Sequence, residues 1–133
     1  MAKCVTPFLM FEGTAEEAAN LYVSVFRDSS IQSIERWAPG EPGAEGSVKQ
    51  CFFTVAGLRL RCFDSPAHHA FTFTPSLSLF VDCESEAELD AAFARLSADG
   101  QVMMGPGNYG FSAKFAWVSD RFGVSWQLNL PGD

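Results

Sequence analysis

Two halves of this chain repeat the same order of sequence signals, and this duplication limits the folds that the chain can adopt. In each half an apolar run is followed by a helix-capping pattern, an amphipathic helix and three strand-like segments. The capping patterns begin at Thr14 and Ser85, 71 residues apart, and each has a glutamate three positions later. The sequence therefore predicts one α+β domain made of two βαβββ repeats, at about residues 1–66 and 67–133.

The segments outside the capping patterns support this plan. Apolar side chains from Ala15 to Phe26, and again from Leu89 to Leu96, recur at the spacing of one helix face. The segments after each helix alternate apolar and polar residues, as strands with one buried face do. The strands predicted after the helices are 31–37, 48–55 and 58–63 in the first half, and 101–104, 111–119 and 124–130 in the second.

The last strand-like segment has a clear two-sided pattern. Asp120 and Gly123 belong to an Asp-x-x-Gly sequence, which is typical of a tight turn before a strand. Trp126 is expected to pack under a helix, whereas Ser125 and Gln127 lie on the opposite side of the strand. That polar side either orients a ligand, if the sheet is concave there, or is simply solvated.

Composition and charge exclude several classes of function. A chain of 133 residues with 47% hydrophobic residues and 13 Phe can form a core without a metal or a disulfide. Its formal net charge of −7 and nine scattered Lys and Arg argue against nucleic acid and against an anionic membrane surface as binding partners.

The sequence contains no apolar stretch of signal-peptide or transmembrane type, so we expect a cytoplasmic protein. Four separated cysteines are predicted to be reduced core residues: Cys4, Cys51, Cys62 and Cys83.

A family resemblance follows from this plan together with the segments 6–13 (TPFLMFEG), 71–78 (FTFTPSLS) and 117–127 (WVSDRFGVSWQ). The chain resembles the vicinal oxygen chelate superfamily of glyoxalase I, bleomycin-resistance proteins and extradiol dioxygenases. Within it, the chain is similar to the PhnB-like branch, often labelled as a 3-demethylubiquinone 3-methyltransferase domain. The resemblance implies paired βαβββ modules that form a curved mixed sheet with a concave, glyoxalase-like cup. It also implies a homodimer, because partner chains commonly complete such cups.

The resemblance also implies where a metal would be bound. Superfamily members hold a divalent metal in the cup through His and Glu side chains, and substrate oxygens then chelate it. The corresponding positions fall at or near Thr6, Arg61, Ser76 and Gln127, which are poor metal ligands. We therefore expect no metal and no other cofactor. The methyltransferase label is not supported either, because the sequence has no glycine-rich turn of the nucleotide-binding type.

Several residues are candidates for a ligand-binding cup, each with an ordinary structural alternative. Aromatic residues such as Trp37 and Phe111 either line the cup or pack in the core or a dimer contact. Arg59 and Arg61 share one strand face and are either solvated cations or an anion-binding pair. The predicted cup residues are Thr6, Trp37, Arg61, Ser76, Tyr109, Trp117, Ser125 and Gln127.

Two adjacent histidines are the weak candidates for catalysis. His68 and His69 follow the segment 64–67, whose composition is typical of an exposed loop. Either they are solvated loop residues, or one of them acts as a general base or pairs with Asp64.

Three functions are therefore considered. The first is binding of a small, largely apolar molecule without a metal, as in bleomycin-resistance proteins. The second is a metal-dependent lyase, isomerase or dioxygenase with divergent ligands. The third is a metal-free enzyme that acts on a quinone-like substrate. The poor ligand set favours the first.

Overall fold

The structure is a computed structural model that describes residues 1–132, so only the last residue of the predicted repeat 67–133 lies outside it. Two compact units divide the chain, the first from Met1 to His69 and the second beginning at Ala70. We call them the first and second modules. The elements of the first module are β1 (Phe8–Phe11), α1 (Ala15–Val25), β2 (Ser30–Arg36), β3 (Val48–Val55) and β4 (Leu58–Asp64).

The second module has the same element order. Its elements are β5 (Ser78–Asp82), α2 (Glu86–Ser97), β6 (Gln101–Gly107), β7 (Lys114–Ser119) and β8 (Ser125–Leu130). Each module has one four-stranded mixed sheet, ordered β1-β4-β3-β2 in the first and β5-β8-β7-β6 in the second. The first strand of each module runs parallel to the last, and the other pairs are antiparallel. The predicted α+β class and the βαβββ order are confirmed.

Strand boundaries differ from the prediction at one connection. The predicted strands 101–104 and 111–119 leave a loop at 105–110, but β6 continues to Gly107 and β7 begins only at Lys114. The pairing of β6 with β7 has register shifts after Val102 and after Met104. Because irregular pairing tolerates Gly and Pro, the sequence signal of a loop was misleading there.

The two helix N-termini are capped differently, although both sequences have a capping box. Ser85 caps α2 as predicted, accepting a hydrogen bond from the Glu88 amide at 3.1 Å. Thr14 is the N-cap residue of α1, as predicted, but its side chain makes no capping hydrogen bond. Instead, the Asp64 carboxylate accepts the amides of Gly13 and Ala15 at 2.8 and 3.0 Å. An acid at this position also interacts favourably with the helix dipole.

Each helix covers one face of its own sheet. In the first module, buried residues of β1, β3 and β4 such as Leu9, Phe53 and Leu60 share the face toward α1, where Tyr22 is also fully buried. In the second module the fully buried Trp126 lies on the face toward α2, as predicted. The opposite face of each sheet, which we call its open face, presents the alternate residues of the same strands.

Three of the four cysteines are core residues, as predicted. Cys51, Cys62 and Cys83 are buried and unpaired, and burial raises the pKa of the Cys83 thiol to about 11. Cys4 is exposed, so its assignment to the core is wrong. Neither helix of the described chain has the length and hydrophobicity that a bilayer crossing requires.

Candidate functional site

The open face of the first module combines aromatic rings with arginines. The register places Arg61 of β4 beside Phe8 of β1 and Phe52 of β3. The Phe8 and Phe63 rings are stacked, with centroids 4.9 Å apart. Although Phe8 is a large apolar residue, it is 54% exposed. This open face therefore offers an apolar, accessible surface around a cation.

The Arg61 guanidinium is held from several sides. Its Cζ lies 5.1 Å from the Phe8 ring centroid and 4.8 Å from that of Phe52, within cation–π range. Its Nη2 donates to Gln50 Oε1 at 2.6 Å. Its Nε is buried and has no hydrogen-bond partner within residues 1–132. Arg59 lies over the same Phe52 ring at 4.8 Å.

Sequence reasoning found the arginines of this face but missed the residues that position them. The sequence pattern places Phe8, Gln50 and Phe52 in strands but does not mark them as site residues. The signal was available, because the tight connection between β3 and β4 fixes the register of the hairpin. The period-two pattern then puts Gln50 and Phe52 on the face of Arg61.

Two further predicted cup residues lie outside the strands. Thr6 is half-buried before β1, with its Oγ1 3.9 Å from Cys4 Sγ. Ser76 is exposed in the turn before β5, and its hydroxyl lies 2.7 Å from that of Thr74. Within their modules, both residues therefore make short-range contacts beside the first strand.

The open face of the second module carries a chain of polar side chains that we call the polar row. It consists of Ser78, Trp117, Ser125 and Gln127, whose strands β5, β7 and β8 place them in register. Trp117 Nε1 donates to Ser125 Oγ at 2.8 Å, and Ser125 Oγ lies 2.6 Å from Ser78 Oγ. Gln127 Nε2 donates to Ser78 Oγ at 3.2 Å. Three of the predicted cup residues are thus joined in one network, in which Ser125 is only 1% exposed.

Aromatic rings gather beside the polar row. Phe80 neighbours Gln127 in the register, and its ring centroid lies 6.4 Å from that of Phe115. Phe111 and Tyr109 continue the cluster, with Phe111 4.9 Å from Phe115. Phe80, Tyr109 and Phe111 are exposed. Tyr109 donates its hydroxyl to the Gly105 carbonyl at 2.6 Å, which fixes its ring.

Trp37 is fixed within the first module. Its Nε1 donates to the Asp64 carbonyl oxygen at 3.0 Å, and Lys49 Nζ lies 5.4 Å from its ring centroid. A Cβ at Gly43 would lie 2.2 Å from the ring, so the loop after β2 needs glycine there. Trp37 thus anchors this loop to the end of β4.

The histidines have local partners. His68 Nδ1 lies 2.7 Å from Glu12 Oε1, and His69 Nε2 lies 2.9 Å from Ser65 Oγ. The Asp64 carboxylate, which was the alternative partner for one of the two histidines, accepts three backbone amides. The third amide is that of Val48, at 2.9 Å. The hydrogen bond from His68, assisted by the His69 amide, lowers the pKa of the Glu12 carboxyl.

The residues at the implied metal positions do not fit a divalent cation. Arg61 repels cations, and the side chains of Thr6, Ser76 and Gln127 are neutral, so none supplies the anionic or imidazole ligand that such a site requires. Within residues 1–132, no group of three or more His, Cys, Asp or Glu side chains is placed to hold a metal ion. The side chains at these positions differ from the His and Glu ligands that the resemblance implies.

Comparison with known proteins gives the family. The family model of 3-demethylubiquinone-9 3-methyltransferase matches residues 3–129. A solved structure from Bacillus cereus, provisionally named a 3-demethylubiquinone-9 3-methyltransferase and PhnB protein, is 51% identical. The match covers 96% of this chain and 99% of that one, with a TM-score of 0.93. Among curated proteins no relative matches.

Two more distant structures share the fold. PA1353 from Pseudomonas aeruginosa is 24% identical, with a TM-score of 0.83 over 99% of this chain and 100% of that one. The fosfomycin resistance protein FosX from Listeria monocytogenes is 14% identical, with a TM-score of 0.64 over 98% and 93%. The predicted PhnB-like resemblance is confirmed: this chain belongs to the 3-demethylubiquinone-9 3-methyltransferase family.

Proposed function

We propose that this protein binds a small, largely apolar molecule on the open face of a sheet, without a divalent metal or another cofactor. The observation that carries the proposal is the aromatic surface of the first module. There Phe8 remains exposed beside Phe52 and Phe63, with Arg61 as its cationic centre. Ligand sites commonly combine such apolar walls with a few fixed polar groups.

The polar row of the second module supports the same proposal. Ser125 is buried, yet its hydroxyl is joined to both Trp117 and Ser78. A network of this kind holds side chains in fixed positions, so it can present preset polar groups to a ligand. The exposed Phe80 beside it supplies apolar contact area.

Native mass spectrometry of the purified protein tests this function. We expect an organic molecule to remain bound to the gently purified chain, because an apolar surface retains its ligand. After loading with zinc, manganese, iron or nickel and then desalting, we expect no stoichiometric metal, because the implied positions offer poor ligands. One retained equivalent of any of these metals per chain would contradict the metal-free proposal and favour the metal-dependent lyase, isomerase or dioxygenase.

A homodimer is part of the same proposal. Several large apolar side chains are exposed, among them Phe71, Leu77, Phe80 and Phe111. Exposed apolar surface of this kind is typical of a contact with another protein chain. The native mass spectra would overturn the dimer by showing only single chains at micromolar concentration. The buried, unpaired cysteines are compatible with the predicted cytoplasmic location.

The methyl transfer in the family name finds no support in these residues. A nucleotide-like methyl donor commonly sits at a glycine-rich turn in a parallel sheet. Here each sheet has only one parallel pair, and the turn between β1 and α1 has the sequence Glu12-Gly13-Thr14.

A second candidate function is metal-free catalysis by His68 on a quinone-like substrate. The specific observation is its pair with Glu12, since a carboxylate on one imidazole nitrogen orients the ring and leaves the other nitrogen to exchange a proton. His68 is 91% exposed, so a substrate can reach it. Unchanged turnover of the co-purified molecule after replacement of both His68 and His69 would dispose of this candidate.

The Glu12–His68 pair itself can be tested by titration. We expect His68→Gln to raise the pKa of the Glu12 carboxyl toward its ordinary value, because the largest cause of its lowering is removed. Carbon-detected NMR of the glutamate carboxyl groups measures this change. Glu41 serves as the control, because the pKa of its carboxyl is lowered by the hydrogen bond from Lys49 in the same module and should stay lowered. An unmoved Glu12 titration would show that the pair is not maintained in solution.

A further inference from the structure

We infer that Arg61 binds an anionic oxygen of the ligand. The ligand would therefore be a planar, mostly apolar molecule that carries a carboxylate or a comparable acidic oxygen. This inference rests on the proposed function, because it concerns the same open face of the first module. It adds the charge of the ligand and the residue that selects it.

The first argument is the charge balance around Arg61. The chain has 16 Asp and Glu residues, yet none of the ion pairs within residues 1–132 includes Arg61. Its guanidinium is half-buried among phenylalanine rings. Partial removal of a cation from water costs free energy unless a counter-charge is supplied. An acidic group on a bound molecule would supply it.

The second argument is the geometry of the guanidinium. Gln50 takes one donor, at Nη2, and the Phe8 and Phe52 rings restrain the side chain. A planar fork held in this way is suited to a carboxylate, because little side-chain freedom is lost on binding. The Nε–H group of Arg61 is buried and has no acceptor within residues 1–132, so one hydrogen-bond donor of the guanidinium is left unsatisfied.

The third argument is the surface next to the guanidinium. Phe8 is stacked on Phe63 with an interplanar angle of 16° and stays exposed. The accessible part of this pair offers a flat apolar surface beside the cation. A conjugated acid would contact both the rings and the guanidinium at once.

Arg59 provides a matched control. It is an arginine on the same strand and the same face, and it also lies over Phe52. In contrast to Arg61, it is exposed and no hydrogen bond to Gln50 orients it. Removal of Arg59 lowers the general positive potential of the face but leaves the restrained guanidinium in place.

The experiment is isothermal titration calorimetry on the full chain with cinnamate and its neutral amide, cinnamamide, as probes. We expect cinnamate to bind the wild type more tightly than cinnamamide. Arg61→Gln should weaken cinnamate binding by about 10- to 100-fold, the usual value of hydrogen bonds to a charged group. Binding of cinnamamide should change little, and Arg59→Gln should leave the preference for cinnamate intact. Arg61→Lys keeps the positive charge but lacks the planar set of N–H donors of a guanidinium, so it should give an intermediate loss of cinnamate affinity.

Each contrary result has a definite meaning. Equal binding of the two probes by the wild type, or equal losses in Arg61→Gln and Arg59→Gln, would overturn the role of Arg61. Binding of neither probe would overturn it too, whereas the metal-free function is judged separately by the native mass spectra. If circular dichroism shows that Arg61→Gln does not fold, Arg61→Lys is used instead. Undiminished cinnamate binding by that variant would overturn the proposed recognition of the carboxylate by the guanidinium.

Discussion

Replacing Asp64 with alanine should destabilise the first module by about 3–5 kcal/mol, because it leaves buried backbone donors without an acceptor. The carboxylate is 3% exposed and accepts the amides of Gly13, Ala15 and Val48. It therefore joins the start of α1 and the start of β3 to the end of β4. Urea denaturation followed by circular dichroism measures the loss in the free energy of unfolding.

Two further variants define the cause of this loss. Asp64→Asn keeps one acceptor oxygen but turns an N–H group toward a backbone donor, so we expect a smaller loss of about 1–3 kcal/mol. Glu45→Ala removes an exposed acid of the same module and should change stability by less than about 0.5 kcal/mol. A loss below about 1 kcal/mol in Asp64→Ala would mean that water replaces the carboxylate as acceptor.

The sequence predicted the elements of this fold well because their signals are local. Period-two alternation and the helical stripes each depend on neighbours within a few residues. The cap of α1 could not be predicted in this way. The pattern beginning at Thr14 is locally complete, whereas the residue that caps the helix, Asp64, is 49 positions after Ala15. Only the parallel pairing of β1 with β4 brings that acid to the helix.

The candidate site shows the same contrast between local sequence signals and contacts made by residues distant in the sequence. Arg61 in the first module and the polar residues of β8 in the second were found because alternation along each strand separates its two faces. Their partners were missed because they come from other strands: Phe8 is on β1 and Gln50 on β3. Ser125 was predicted to face a ligand, but its hydrogen bonds to Trp117 and Ser78 depend on the register of three strands. Alternation gives the face of a residue, and pairing decides its neighbours.

Asp120, in the turn before β8, is a second buried acid that accepts backbone amides. Asp120 is 3% exposed, and its Oδ1 accepts the amides of Phe122 and Val124 at 2.8 and 3.1 Å. Its Oδ2 accepts the indole Nε1 of the fully buried Trp126 at 2.9 Å. Gly123 has φ of +93°, which glycine adopts without strain. The predicted turn is thus confirmed, and its acid also satisfies the one polar atom of a core tryptophan.

Asp120→Ala should therefore lower the free energy of unfolding by about 3–4 kcal/mol, measured by urea denaturation, since two amides and the indole lose their acceptor. Trp126→Phe removes the indole donor and part of the core volume, and we expect a loss of about 2–3 kcal/mol. In the Trp126→Phe background the indole donor is already absent, so Asp120→Ala should cost less there than in the wild type. The two single losses should therefore sum to about 1–2 kcal/mol more than the loss measured for the double variant. Simple additivity would show that the Asp120–Trp126 hydrogen bond contributes nothing in solution. The Asp120 carboxylate would then act only through its hydrogen bonds from the amides of Phe122 and Val124.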